Sequence, residues 1–169
     1  DHGPVRPQLL FQEVQRAFID TDLAWLAAES GNAFCWCTHL WRFRAPGRYR
    51  VSTGFGSMGH ATTGVVGAAL ARGGKAVALV GDGAMMMLNE LHTAVQEQAP
   101  AVWIVLNDAG YRMCAQGMEM LGWQPLHCDL PPVDFVALAR AVGADGIRVT
   151  READVAAALA AAARATGPF

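Results

Sequence analysis

Charge is scarce in this 169-residue chain. Asp, Glu, Lys and Arg together make up 17% of it, and the formal net charge is −2. With so little charge, and no excess of either sign, nothing recommends nucleic acid or an anionic membrane as a partner. No apolar run reaches the length that spans a bilayer. The opening Asp1-His2-Gly3-Pro4 has no signal-peptide pattern, so a cytoplasmic location is expected. Cysteines are few: Cys35, Cys37, Cys114 and Cys128. Cys35-Trp36-Cys37 is too tight for a CxxC motif, and no second pair stands at zinc spacing. Free buried thiols in a reducing compartment are expected instead. Linkers, internal repeats and low-complexity segments are also missing.

What the chain has in plenty is apolar side chains, 53% of the total. The length suits one compact domain with a good-sized core. The excess implies that part of its surface is built to be buried against something else.

Apolar spacing predicts helices over residues 7–19, 60–71, 88–98, 133–142 and 153–165. Short apolar runs at 23–28, 75–80, 101–106 and 147–150 read as strands. Residues 30–50 look irregular, and the Met-rich stretch 110–123 is ambiguous. Strands that are apolar on both faces and alternate with helices imply a doubly wound α/β domain, a mostly parallel sheet covered on both faces. Ligands of such sheets bind at the carboxyl ends of the strands. Two strands end in acids there, Asp82 after Val80 and Asp108 after Leu106. If those strands are adjacent, both carboxylates face one crevice.

Gly54-Phe55-Gly56-Ser57-Met58-Gly59 is a literal GxGxxG. A dinucleotide site would need a buried strand just before it. The segment Arg48-Tyr49-Arg50-Val51-Ser52-Thr53 is too polar to be central. A second strand-end acid also has no place in that fingerprint, so a dehydrogenase is disfavoured.

Taken in order, "GFGSMGHATTGVVGAALA", "VALVGDGAMMM" and "VWIVLNDAGYRM" resemble the diphosphate-binding (PP) domain of thiamine-diphosphate-dependent enzymes. The likeness is strongest to the acetolactate synthase and 2-oxo acid decarboxylase group, and it spans nearly the whole chain. It implies Mg²⁺ and thiamine diphosphate as cofactors. Magnesium wants near-octahedral oxygen ligation and usually takes one or two carboxylates plus phosphate oxygens. The resemblance assigns the metal to Asp82, Asp108 and the carbonyl of Gly110. It assigns the diphosphate to Gly81, Gly83, Ala84 and Met85, whose amides open a helix, and to Gly31 and Asn32 of an "SGN" loop. Ala33 replaces a polar residue there, often His. Asp108 replaces the usual Asn, so it should strengthen metal binding while leaving less positive charge for the diphosphate.

Met58 is the apolar wedge that, in the resembled enzymes, bends the cofactor so that its amino group reaches the reactive carbon. Gly56 would accept from that amino group, and Ser57 lies between the two. The lesser alternative for Met58 is core filling. Tyr111, Met113 and Gln116 would border a small 2-oxo acid substrate. His60, His92 and His127 occupy no motif and are expected on the surface or in helix packing. Asn89, Glu90 and Asn107 read as scaffold.

The resembled enzymes also need a glutamate from a separate pyrimidine-binding (PYR) domain, often on a neighbouring subunit, and this chain is too short to include one. It is therefore expected to be half of an active site, either a subunit or a fragment, in a hetero- or homo-oligomer. Gly167-Pro168-Phe169 normally runs on into a last strand in that family. Two alternatives remain: the small subunit of a 2-oxo acid oxidoreductase, for which iron–sulfur cysteine spacing would be expected, and a catalytically degenerate scaffold or regulatory domain.

Overall fold

Four apolar or edge-tolerant runs become four parallel strands: β1 (Trp25–Ala28), β2 (Tyr49–Val51), β3 (Ala76–Gly81) and β4 (Ala101–Leu106). The computed structural model describes residues 4–169, so Asp1-His2-Gly3 lies outside the described residues. The sheet order is β2-β1-β3-β4. Its register aligns Leu26 with Tyr49, Ala27 with Ala78, and Ala78 with Trp103. β1, β3 and β4 are apolar, and in the central β3 Ala76 to Val80 are entirely buried. β2, which carries the exposed Arg50, sits at an edge, where its polarity costs little.

Alternation along the strands sorts side chains by size. Leu26, Ala28, Val77, Leu79 and Val102 point to one face, together with Phe11, Val14, Phe18, Val155 and Leu159. Helices α1 (Pro7–Val14), α2 (Asn32–Leu40) and α8 (Glu152–Arg164) supply that layer. Ala27, Ala76, Ala78 and Val80 point to the other face, against Ala61, Val65, Val66 and Ala69 of α3 (His60–Arg72). Small residues on both sides let α3 lie close to the sheet, with Ala94 of α5 (Glu90–Gln96) beside it. This is the doubly wound α/β fold expected.

Three long-range ties hold the ends of the layers. Arg6 grips Glu152 through Nε and NH2, at 2.6 and 2.8 Å, joining the starts of α1 and α8. Lys75 Nζ donates to the Ala165 carbonyl at the end of α8, at 2.6 Å. Phe169 donates its amide to Ala101 O and accepts from Trp103 N, extending the hydrogen bonding along the outer edge of β4.

Several local expectations change. The helix from Pro7 closes in a π-helical turn, Gln15–Ile19. Residues 30–50 are not irregular throughout but contain α2 and β2. Ala33 and Cys37 set the buried face of α2, and Trp41 at its end packs on Phe11 with ring centroids 5.6 Å apart. The ambiguous Met-rich stretch forms α6 (Arg112–Met120), and α7 is Phe135–Ala141. Residues 147–150 form no strand. Among the described residues that apolar run has no ladder partner, and apolarity without a partner does not make a strand. All four thiols are free, as expected, but only Cys37 and Cys128 are buried; Cys35 and Cys114 are exposed. Burial pushes the Cys37 thiol well up from its usual range.

Candidate active site at the carboxyl edge of the sheet

The segments that follow β1, β2, β3 and β4 meet at one edge of the sheet and line one end of a cleft of about 1320 Å³, which continues along Val102–Leu106 of β4 to Val155, Leu159 and Phe169. Gly31, Asn32, Gly56, Met58, Gly81, Asp82, Gly83, Ala84, Met85, Asp108, Gly110 and Tyr111 all face it, as do Met113 and Gln116. Ser57 does not, and neither do His60, His92 or His127. His92 and His127 are exposed, and His60 starts α3 half-buried.

Asp82 is the first residue of the one-turn helix α4 (Asp82–Met85), and only 5% of it is exposed. Its Oδ1 accepts from the Gly83 amide at 2.7 Å. Its Oδ2 accepts from the Gly110 amide at 3.1 Å, which ties the end of β3 to the loop after β4. The Gly83 amide is therefore engaged by the carboxylate beside it. The Ala84 and Met85 amides lie in the first turn of α4, where backbone amides lack partners within the helix.

Asp108 is exposed at its tip, yet its carboxyl is pushed up from the usual range. Partial burial is the largest cause, followed by the negative charge of Asp82, while Arg112 opposes both. Two acids of like charge on neighbouring strand ends make a place that favours a cation.

The loop between Asp108 and Arg112 is sharply bent. Ala109 has φ +53°, a left-handed conformation that costs an alanine about 1–2 kcal/mol. Tyr111 follows with φ −78° and ψ 68°, and Arg112 N bonds to Gly110 O at 2.9 Å, an inverse γ-turn. The Gly110 carbonyl thus accepts one hydrogen bond and keeps its second lone pair for another partner.

Arg112 is not among the residues that the sequence singles out. Its NH1 donates to Asp129 Oδ1 at 2.9 Å and its NH2 to the Asp108 carbonyl at 2.8 Å. Its Nε lies 3.7 Å from Asp108 Oδ2. A Cβ on Gly110 would come within 2.7 Å of the guanidinium carbon. The fixed positive charge of Arg112 makes up part of what the second carboxylate takes away. The i,i+4 spacing of Asp108 and Arg112 was the signal available in the sequence.

Glu29 is the other residue that the motifs do not announce. It follows the last residue of β1 and is fully buried. Its Oε1 accepts from Ala61 N and Thr62 N, both at 2.8 Å, and from Thr62 Oγ1 at 3.0 Å. The sequence shows it only as a third acid closing an apolar run.

The glycines here serve conformation and clearance. Gly31, at φ 84° and ψ −153°, occupies a region open essentially to glycine alone. Gly59, at φ +96°, would place a Cβ 3.0 Å from the Met87 Cβ. Met58, just before it, is 44% exposed beside the cleft, so it is not core filling within this chain. Asn107 acts as scaffold, donating Nδ2 to the Val133 carbonyl at 3.0 Å.

The residues fit a magnesium–diphosphate pair in kind. Among the described residues no three His, Cys, Asp or Glu side chains stand together as a metal cage. A metal held here has to draw on two carboxylates, a backbone carbonyl and oxygens from a ligand, which is magnesium's habit.

Comparisons with known proteins identify the family. The family model for the C-terminal TPP-binding domain of thiamine pyrophosphate enzymes matches residues 29–169. A Mycobacterium tuberculosis chain provisionally named as an acetolactate synthase large subunit is 34% identical over 97% of this chain, which covers 30% of that protein. The mitochondrial acetolactate synthase catalytic subunit of Saccharomyces cerevisiae is 28% identical over 97% of this chain and 24% of its own length. In three dimensions, the Rhodococcus jostii thiamine diphosphate-dependent 4-hydroxybenzoylformate decarboxylase superposes with a TM-score of 0.88 at 27% identity, over 98% of this chain and 32% of that one. The chain thus spans about a third or less of the length of these relatives, and it belongs to the thiamine pyrophosphate enzyme family as a C-terminal, TPP-binding domain.

Proposed function

We propose that this chain holds Mg²⁺–thiamine diphosphate as one half of the active site of a 2-oxo acid decarboxylase or carboligase of the acetolactate synthase kind. The observation that carries this is the buried Asp82 carboxylate, hydrogen-bonded at a strand end to the loop that bears Asp108 and Gly110. Thiamine diphosphate, when bound, supplies the electron sink that allows a 2-oxo acid to lose CO₂.

The remaining work falls to the chain's own residues. Asp82 and Asp108 hold the metal with the Gly110 carbonyl. The Ala84 and Met85 amides face the diphosphate, and Arg112 balances the charge of Asp108. Gly31 and Asn32 border the same anion. Met58 and Gly56 orient the cofactor's pyrimidine end. Tyr111, Met113 and Gln116 lie on the substrate side of the cleft.

Met58 on the cleft wall is 44% exposed, and Phe55, Met86 and Met87 are 100%, 50% and 45% exposed. Exposed large apolar side chains of this kind mark an interaction surface. It suits the PYR half, whose glutamate would complete the proton relay, within a hetero- or homo-oligomer. Among the described residues no helix is long and apolar enough to cross a membrane.

The test is thiamine diphosphate binding by calorimetry with and without Mg²⁺, and turnover of pyruvate and other 2-oxo acids with and without a PYR partner. Metal-dependent binding and partner-dependent turnover are expected. A general acid–base relay of this kind is worth about 10²–10⁴-fold. Robust turnover by the chain alone would sink the half-site reading, and metal-independent binding would sink the ligand set.

A further inference from the structure

Helix α3 starts without a cap of its own. Its N-cap is Gly59, which has no side chain to offer the first amides. Gly59 cannot be exchanged for a capping Ser or Asp, because its φ is +96° and a Cβ would sit 3.0 Å from the Met87 Cβ. The cap arrives instead from the end of β1. Glu29 Oε1 takes the amides of Ala61 and Thr62, the second and third residues of α3, together with the Thr62 hydroxyl. A local cap would be an uncharged or solvated group. Here the acceptor is a carboxylate with no measurable exposure.

The arrangement is expensive. A fully buried carboxylate loses its hydration, and Glu29 Oε2 has no hydrogen-bond partner among the described residues. A solvated cap at the start of α3 would avoid that cost.

What lies around the cap suggests the reason. Met58 stands two residues before α3, so the position of the helix start sets the position of the proposed wedge. Thr62 reaches the other way, since its Oγ1 is also 3.3 Å from the Ala84 carbonyl of α4. Its carbonyl is pinned by Trp103 Nε1 at 2.8 Å. One buried acid therefore joins the β1 end, the Met58 loop and the helix that begins at Asp82. Ser30, Gly31 and Asn32, which follow Glu29, line the cleft, while Glu29 itself does not.

We propose that Glu29 is a positioning residue of this site. Its buried carboxylate fixes the start of α3 against α4, and so keeps the residues for the pyrimidine end of the cofactor in register with those for its diphosphate end. The proposal rests on the cofactor reading above.

The experiment uses the assembled enzyme, this chain with its PYR half. Glu29→Ala removes the acceptor. Glu29→Gln keeps one side-chain oxygen at the same reach. Displacing a positioning contact by about 1 Å can cost on the order of 10²-fold in rate. Glu29→Ala, verified as folded by circular dichroism at the assay temperature, is expected to lose roughly that much kcat while its KM for thiamine diphosphate moves only a few-fold. Glu29→Gln should recover most of the rate. Unchanged kcat in folded Glu29→Ala, with a lowered Tm only, would make Glu29 a purely structural cap and overturn the proposal. Equal losses in the two variants would overturn it too, because the shared acceptor would then not be what positions the loop.

Thr62→Val serves if Glu29→Ala does not fold. It keeps the two amide bonds to Glu29 but removes the hydroxyl that reaches both Glu29 and the Ala84 carbonyl, and a fall in kcat without a matching fall in Tm is expected. No fall in kcat there would count against the proposal. Amide hydrogen exchange separates this idea from the cofactor assignment. Faster exchange at Ala61, Thr62 and the Met58 loop in Glu29→Ala should appear without any cofactor present. If wild-type protein fails to bind thiamine diphosphate, the cofactor reading falls, and the exchange result still decides whether Glu29 holds the loop.

Discussion

Gly83 lies directly beneath the ring of Tyr111: a Cβ added to the glycine would sit 2.5 Å from the ring's Cε1 and 2.9 Å from its Cδ1. The turn after β3 and the turn after β4 are thus packed face to face at the cleft with no room for a methyl group. Gly83→Ala should displace Tyr111 and cost about 1–3 kcal/mol, as overpacking generally does. Combining it with Tyr111→Ala should recover part of the loss, because contacting residues couple by about 0.5–3 kcal/mol. Urea unfolding of the two single variants and the double variant measures the coupling. Strict additivity would mean that the ring and the glycine do not press on each other.

Asp82→Ala removes a proposed metal ligand and also the acceptor for the Gly83 and Gly110 amides. The expected result is a fall of about 10²-fold or more in Mg²⁺-dependent thiamine diphosphate affinity. A stability loss of about 1–3 kcal/mol should accompany it, from amides left unpaired. Calorimetric titration and thermal unfolding separate the two effects. Full cofactor affinity in a folded variant would remove Asp82 from the metal site.

Met58→Ala leaves Asp82, Asp108 and the loop glycines in place. It is expected to lower kcat by roughly 10²-fold through misorientation, with a smaller change in cofactor affinity. Steady-state kinetics over a range of thiamine diphosphate concentrations makes the comparison. Equal changes in rate and affinity would show that Met58 contributes binding rather than shape.

Acid should loosen the junction between α1 and α8 in a defined window. The Arg6 hydrogen bonds hold the Glu152 carboxyl down at about 2, against an ordinary value of 4.5. A depressed carboxylate pKa stabilises the fold above the unfolded value, and the contribution fades as pH falls toward the folded value. The stability difference between wild type and Glu152→Gln should therefore be constant above about pH 5 and shrink between there and pH 2. Denaturant midpoints of both proteins across that range make the check. A difference independent of pH would exclude the ion pair as its source.

The frame of the fold is legible in the order of residues. Runs such as Ala76 to Val80, apolar on both faces, call for a sheet covered on both sides, so the α/β class follows from composition and order alone. The acids that close the runs could then fall only at the carboxyl edge, which is why Asp82 and Asp108 were legible as neighbours. Gly83 and Gly110 were legible with them, since motif and spacing are local.

Tertiary structure decided everything that depends on a partner distant in sequence. Residues 147–150 have the composition of a strand and form none, because a strand exists only through its neighbour's hydrogen bonds. Residues 30–50 read as irregular, yet Trp41 against Phe11 secures the end of α2 on α1. Arg112 became part of the site only when the left-handed turn at Ala109 folded its guanidinium back over Gly110. Glu29 shows the limit most clearly. Its carboxylate and the amides it caps belong to separate elements, one at the end of a strand and the other at the start of a helix. Hydrogen bonding across such a gap leaves no periodicity in the chain, and only the packing of α3 onto β1 brings the two together.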